Sequence, residues 1–222
     1  YRPSNTFSPV VSKGDVEEYL DIVAGASDMH RVLGRLPEAL TATQVLRSPG
    51  RPVPPEILRP LIRAARETRR VEVDYVSLNA PDREGRIIVP HTLVWTGQRW
   101  HLRGWCEKNQ AYRDFVLSRF RGEPELLGIS DHTDREDTEW HAWVEIAIAP
   151  DPRLSPAQQG VVAHDYGMMD NQWLLSVRAK LLPYYLKLLQ IDPQDIKADA
   201  KAQQLVILNP RDLEPWLFSG AF

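Results

Sequence analysis

Residues 71–121 decide the fold of this chain and read VEVDYVSLNAPDREGRIIVPHTLVWTGQRWHLRGWCEKNQAYRDFVLSRFR. Apolar and polar residues alternate over 71–77 and again over 100–104, which is the period of a half-buried β-strand. Turn-forming residues lie between the runs, at 79–82, 96–98 and 108–110. The segment therefore predicts a small β-barrel.

Six arginines lie within or beside these predicted strands: Arg86, Arg99, Arg103, Arg113, Arg119 and Arg121. Residues 59–121 carry 13 Lys+Arg against 7 Asp+Glu, whereas residues 122–222 carry 8 against 16. A basic segment in an acidic protein favours a phosphate-bearing partner that binds there. The alternative is that strand arginines are solvated edge residues that prevent aggregation. That alternative suits Arg99 and Arg113, which flank turns, better than Arg103 and Arg119, which lie in apolar runs.

The composition is that of an ordinary globular protein. The chain has 222 residues, of which 43% are hydrophobic and 26% are charged. No apolar run approaches the roughly 20 residues of a membrane span, and residues 1–10 lack the pattern of a signal peptide. Cys106 is the single cysteine, which suits a reducing compartment. We therefore expect a cytoplasmic protein without a membrane partner.

The regions on either side of the predicted barrel contain both helices and strands. Helical patterns cover 14–24 and 56–69, whereas the acidic run 131–139 predicts a solvated linker. Beyond that run, strands and helices alternate, with Ser155 as the N-cap of a helix, which predicts a small α+β sandwich. We predict three regions: an N-terminal linker and helical segment at 1–58, the barrel with its leading helix at 59–130, and a C-terminal α+β domain at 131–222.

The motifs of common enzyme classes are missing from the sequence. The six histidines show no metal-binding spacing, and there is no CxxC pair, GxSxG turn or phosphate-binding loop. Cys106 follows Trp105 in a predicted strand, so a buried, inert thiol is favoured over a nucleophile. We therefore predict no catalytic residues, no metal site and no cofactor.

Four short motifs have the order and spacing of the WYL domain, a small β-barrel of bacterial transcriptional regulators. They are Pro90-His91-Thr92-Leu93, Trp100-His101-Leu102 with His in place of the family's Tyr, Arg103-Gly104-Trp105-Cys106, and Ser118-Arg119-Phe120. The chain therefore resembles a WYL regulator. Its PHxL and RWHxR motifs are most similar to the WYL regulators that lie beside phage-defence operons.

The resemblance implies a mostly β, α+β architecture. In it an SH3-like (Sm-like) WYL barrel is preceded by helices and followed by a small α+β sandwich. Regulators of this kind carry an N-terminal winged helix-turn-helix and a C-terminal extension that helps them to form homodimers. Residues 1–50 contain no basic helix-turn-helix pattern. We therefore expect operator DNA to be contacted through an N-terminal domain missing from this chain.

The resemblance also implies a sensor, and six residues are candidates for ligand binding: Tyr75, Ser77, His91, Arg103, Arg119 and Arg121. An arginine meets a phosphate with a planar fork of donors. Arg119 and Arg121 are expected to share a strand face, because they are two residues apart. Tyr75 and His91 offer a stacking face and a second donor to a base or ribose. The alternatives are that Tyr75 belongs to the barrel core and that His91 caps a turn.

Our sequence-based prediction is the ligand-sensing and dimerising portion of a repressor that binds a nucleotide, a cyclic nucleotide or a short nucleic acid. One alternative is a nucleic-acid or nucleotide-processing enzyme or accessory factor. Another is an oligomerisation module without a ligand. Turnover separates the first two, because a sensor leaves its ligand intact.

Overall fold

The computed structural model of the protein describes residues 45, 46, 48–78, 81–193, 197 and 199–217, and positions 16, 18, 20–22, 24 and 25. The chain divides into two compact units, 1–49 and 50–222. In the first unit, the described positions between 16 and 25 are helical, as the sequence pattern predicts. Most of the predicted N-terminal linker lies outside the described residues. All further elements belong to the second unit.

The second unit begins with a helix that covers one face of a sheet. Helix α1 (Pro55–Glu67) has proline at its first position, where a backbone N–H would have no acceptor within the helix. The missing N–H of proline therefore costs no hydrogen bond. It ends at Thr68, which adopts a left-handed conformation with a φ of 49°. Ile57, Leu61 and Ala64 are its buried residues, and they join the core of the first sheet.

The first sheet has five antiparallel strands in the order β4-β3-β2-β1-β5. They are β1 (Arg69–Tyr75), β2 (Glu84–Trp95), β3 (Trp100–Cys106), β4 (Ala111–Val116) and β5 (Phe120–Ile129). The strand pairs formed by the described residues end at β4 and β5 and do not close the sheet. The predicted β-strands are thus present, whereas closure into a barrel stays a prediction.

The pairing of the long strand β2 with β3 is irregular at one point. The register between the two strands shifts between Pro90 and Thr92. Opposite this point, a Cβ atom on Gly104 would lie 2.5 Å from the carbonyl oxygen of Val89. Only glycine therefore permits this close approach of the two backbones.

A short connector follows β5. It contains a 3-10 turn, Asp134–Glu136, and the one-turn helix α2 (Thr138–His141). Asp137 caps α2, because its side chain accepts a hydrogen bond from the Trp140 backbone N–H at 3.1 Å.

The C-terminal part forms a second sheet with helices. Antiparallel strands β6 (Trp143–Pro150), β7 (Trp173–Arg178) and β8 (Leu205–Ile207) pair in the order β7-β6-β8. Helices α3 (Pro156–Asp165), α4 (Leu182–Leu188) and α5 (Pro210–Leu213) accompany them. The predicted α+β composition of this part is confirmed, and so is the N-cap at Ser155, which forms a capping box with Gln158. Among the described residues, no helix has the length and apolar character needed to cross a bilayer.

Candidate ligand-binding cavity

A cavity of about 450 Å³ lies between the first sheet and the C-terminal part. Four of the six predicted site residues line it: Tyr75, Ser77, Arg103 and Arg119. The C-terminal part contributes Lys180, Tyr184 and Trp216 to the same wall. The cavity is therefore built jointly by both parts of the second unit.

Arg119 is the predicted site residue best placed to meet an anion. It ends a 3-10 turn, Leu117–Arg119, and is half-buried in the cavity wall. Within the part of the chain that the structure describes, its guanidinium has no hydrogen-bond or ion-pair partner. A half-buried arginine without a counter-charge is costly unless an anion or water meets it.

Arg103 also lines the cavity, but its donors are already occupied. Its side chain is 1% exposed, and Nε and Nη2 donate to Asp137 Oδ2 and Oδ1 at 2.5 and 2.8 Å. Nη1 donates to Asp114 at 3.2 Å, and Glu139 lies 3.5 Å from Nη2. A ligand phosphate would have to displace a carboxylate to reach Arg103. Arg103 therefore stabilises the cavity wall and is not available to bind a ligand phosphate.

The acidic run 131–139 is not simply a solvated linker, because Asp137 is 1% exposed. Burial by itself raises the pKa of Asp137. Hydrogen bonds from His91 and Arg103 and the Arg103 charge outweigh it and lower that pKa to about 2. Burial by itself lowers the pKa of Arg103, but the contacts with Asp137 and Asp114 outweigh burial and raise that pKa above its ordinary value. Arg103 and Asp137 therefore both stay charged. The pair therefore joins the first sheet to the connector.

His91 and Arg121 do not line the cavity. His91 lies 3.2 Å from Asp137 through Nε2 and 2.8 Å from Thr92 through Nδ1, so it supports the buried carboxylate instead. Arg121 donates to the backbone carbonyls of Ser118 and Phe120, each at 2.9 Å. The expectation that Arg119 and Arg121 share a strand face is wrong, because Arg119 lies in the 3-10 turn and β5 begins after it.

Tyr75 and Ser77 lie at the end of β1 and beyond it, at the cavity wall. The Tyr75 ring packs edge-on against Phe115 and Phe120, and its hydroxyl accepts a hydrogen bond from the Val116 backbone N–H at 2.9 Å. Tyr75 is thus chiefly a core residue that borders the cavity.

Three residues of this region were missed by the sequence analysis as site residues. Arg86 packs over the Tyr75 ring, and its buried Nε has no hydrogen-bond partner among the described residues. His101 is 2% exposed, and within the same residues its buried Nδ1 also has no partner. Arg99, expected to be a solvated turn residue, is half-buried. For His101 a signal was available, since it replaces the Tyr of the signature tripeptide.

Burial lowers the pKa of His101 to about 4, with further contributions from Arg99, Arg119 and Arg51. Its ring packs against Tyr184, with 5.2 Å between centroids. The imidazole is therefore neutral at neutral pH, and one nitrogen is an acceptor. The Nε atom of Arg86 and the Nδ1 atom of His101 are thus buried polar groups beside the cavity, whose burial without a partner among the described residues costs stability.

We expect the low pKa of His101 to make stability fall as the pH drops from about 6.5 to about 4. In that window the unfolded chain binds a proton on this residue and the folded chain does not. The free energy of unfolding, measured by urea denaturation across this range, should be less pH-dependent in His101→Gln than in wild type. The exposed His164→Gln should keep the wild-type slope. Equal slopes in His101→Gln and wild type would contradict the prediction.

Comparison with known proteins gives the chain its family. A model described as "WYL domain" matches residues 56–122, and one described as "BrxR transcriptional regulator, C-terminal dimerization domain" matches residues 143–213. Three curated relatives share the name "DNA-binding transcriptional repressor CapW". The protein from Escherichia coli (strain KTE188) is 31% identical over 218 residues, covering 96% of this chain and 71% of the relative.

The other two relatives agree. The Pseudomonas aeruginosa protein is 30% identical over 215 residues, which cover 96% of this chain and 72% of the relative. The Stenotrophomonas maltophilia protein is 28% identical over 224 residues, with coverages of 98% and 73%. The resemblance inferred from the four motifs is thus confirmed, and the chain belongs to the CapW family of WYL-domain transcriptional repressors.

Proposed function

We propose that this chain is the ligand-sensing and dimerising portion of a repressor, and that a nucleotide or short nucleic acid binds the cavity at Arg119. The ligand then controls DNA binding by a winged helix-turn-helix on the N-terminal side. The observation that carries the proposal is the half-buried Arg119 guanidinium, which has no partner among the described residues. An arginine fork suits a phosphate, and one charge-assisted contact contributes about 1.5–3 kcal/mol.

The wider setting of the proposal follows from the relatives. Operator DNA is the expected partner, since the relatives are named as DNA-binding repressors and this chain matches 71–73% of their length. By the same resemblance, we propose that the repressor is cytoplasmic and is encoded beside phage-defence genes. We also propose that the five-stranded sheet is an SH3-like (Sm-like) barrel, which the strand order and the core beneath α1 support.

A series of side-chain contacts connects the cavity to the C-terminal sheet and could transmit the effect of ligand binding. Arg103 in the cavity wall is paired with Asp137, which caps the turn that carries Trp140. Arg178 of β7 donates to the Trp140 carbonyl at 2.6 Å and lies over the rings of Trp140 and Trp143, at 4.8 and 5.0 Å. Occupation of the cavity can thus bias the geometry of the sheet by differential contacts.

The outer face of that sheet is a suitable dimer interface. Directly opposed residues of β6 and β7 share a face, which places Trp143, Ala147, Leu174 and Arg178 together. Trp143 and Leu174 are 58% and 56% exposed. Glu145 and Ser176 lie between these pairs on the same face, so the face combines exposed apolar and polar residues. Its exposed tryptophan and leucine mark an interaction surface, which two copies would bury symmetrically. The match to a dimerization domain over 143–213 agrees.

We expect wild-type protein to have about twice the 25.4 kDa chain mass, and Trp143→Glu to have the mass of one chain. The substitution would replace an exposed apolar side chain by a buried carboxylate in each copy, on the face that already carries Glu145. Light scattering at micromolar concentration measures both masses. Trp95→Glu is the matched control, because Trp95 is also half-exposed but lies on the first sheet. A dimeric Trp143→Glu variant would exclude this face as the interface.

The experiment for the proposed function is the mass analysis of small molecules that co-purify with the protein. Wild type should carry a phosphate-containing compound that leaves on denaturation, and Arg119→Gln should carry much less. The compound should be recovered unchanged after incubation with the protein, because a sensor does not turn its ligand over. Loss of the compound into products would instead favour the nucleotide-processing alternative.

A further inference from the structure

Arg99 lies outside the cavity of Arg119 and is also a half-buried cation. It follows the turn between β2 and β3, where its backbone carbonyl accepts hydrogen bonds from Thr96 N and Oγ1 at 3.2 and 3.1 Å. Its side chain has no hydrogen-bond or ion-pair partner within the described ranges. We propose that Arg99 is a second anion-binding site, so that the ligand carries two separate phosphate groups, one at Arg119 and one at Arg99. This inference rests on the proposed function.

The geometry places the two arginines on either side of one shared wall. A second cavity of about 600 Å³ is lined by Arg99, and it shares Pro183, Tyr184 and Leu217 with the cavity of Arg119. A ligand that extends past Tyr184 from one cavity into the other would meet both guanidinium groups. Phosphate groups at two positions of such a ligand would supply an anion to each arginine.

The described charged residues of the second cavity are mostly basic. Arg99, Lys187 and Lys197 line it, against the single carboxylate of Asp192. The remainder of its described lining is largely apolar, with Leu186, Leu188 and Ile191 from α4 and the residues after it. Such a lining suits an anionic group attached to an organic body.

Mutual repulsion between arginines gives independent support. Burial lowers the pKa of Arg99, and Arg119 and Arg51 lower it further. Burial also lowers the pKa of His101, and Arg99, Arg119 and Arg51 lower it further. Besides burial, the residues that lower the pKa of Arg99 are Arg119 and Arg51, so positive charge accumulates around this side chain. A ligand with two anionic groups would offset this repulsion, whereas a neutral ligand would leave it in place.

The test compares nucleotides with one and two separate phosphate groups. Adenosine and thymidine 3′,5′-bisphosphates are titrated calorimetrically against the corresponding 5′-monophosphates, into wild type, Arg99→Gln, Arg119→Gln and Arg66→Gln. Two bases are used so that a base preference does not decide the outcome. Arg66 is an exposed residue of α1 outside both cavities, which makes it the matched control.

Wild type should bind a bisphosphate about 10- to 100-fold more tightly than the monophosphate, as expected for one additional charge-assisted contact. Arg99→Gln should remove this advantage and leave the monophosphate affinity unchanged, whereas Arg119→Gln should weaken both and Arg66→Gln neither. Equal affinity of wild type for both probes, with Arg119→Gln weakening both, would overturn the second site and leave the proposed function standing. Binding of neither probe to wild type would overturn the second site and also a mononucleotide as the ligand at Arg119.

Discussion

Replacing Asp137 with Ala is expected to lower the free energy of unfolding by about 3–5 kcal/mol. The change removes the bidentate partner of Arg103, whose side chain is 1% exposed, and leaves a buried positive charge with weaker neighbours. It also removes the cap of α2, which contributes about 1 kcal/mol in comparable helices. Urea denaturation of the whole chain measures the loss.

Asp131→Ala is the matched control, because Asp131 belongs to the same acidic run but is exposed. It should change the free energy of unfolding by less than about 0.5 kcal/mol. The double variant Arg103→Met, Asp137→Leu should lose less than Asp137→Ala, since no charge is then left buried. An Asp137→Ala variant as stable as Asp131→Ala would contradict the buried ion pair.

The depressed pKa of Asp137 adds a pH dependence with a definite sign. Its contribution to stability is fully present above the ordinary Asp pKa of about 3.9 and is lost as the pH falls toward about 2. In Asp137→Asn this part of the acid-induced loss should be absent.

Replacing Arg119 with Gln is expected to weaken nucleotide binding about 10- to 100-fold, because one charge-assisted, bidentate phosphate contact is lost. The fold should survive, since Arg119 is paired with no described carboxylate and lies close enough to Arg99 to depress the pKa of that arginine. Calorimetric titration of nucleotides into wild type and variant measures the affinity, and urea denaturation verifies the fold. Arg66→Gln should bind like wild type. Equal binding by wild type and Arg119→Gln would remove Arg119 from the site.

The alternation of apolar and polar residues along the chain was sufficient to predict strands of the first sheet. Alternation over 71–75 corresponds to β1, which buries Val71, Val73 and Tyr75. Residues 100–104 do form part of β3, but its residues 101–104 are all buried, so the predicted alternation is absent there. The Ser155 cap was also predictable, because a serine directly before a proline is a local signal for the start of a helix. Position in a motif sufficed to select Arg119, which lines the cavity.

The pairing of Arg103 with Asp137 could not be predicted from local pattern. The two residues are 34 positions apart, and an acidic run gives no signal of which carboxylate turns inward. The same contact explains His91, which bonds Asp137 rather than facing the cavity. Arg121 was misplaced because the strand period was extended across a 3-10 turn. Arg99 was misjudged because the packing of its turn against Leu188 of α4 is a long-range contact.

The most direct test of the account is to locate a bound phosphate group. A crystal of the protein grown with a nucleotide 5′-phosphorothioate would show the sulfur by its anomalous scattering. We expect the anomalous peak within the cavity, at hydrogen-bonding range of about 3–3.5 Å from the Arg119 guanidinium. A peak at another surface, or nucleotide density that does not approach Arg119, would contradict the assignment of this cavity as the sensor.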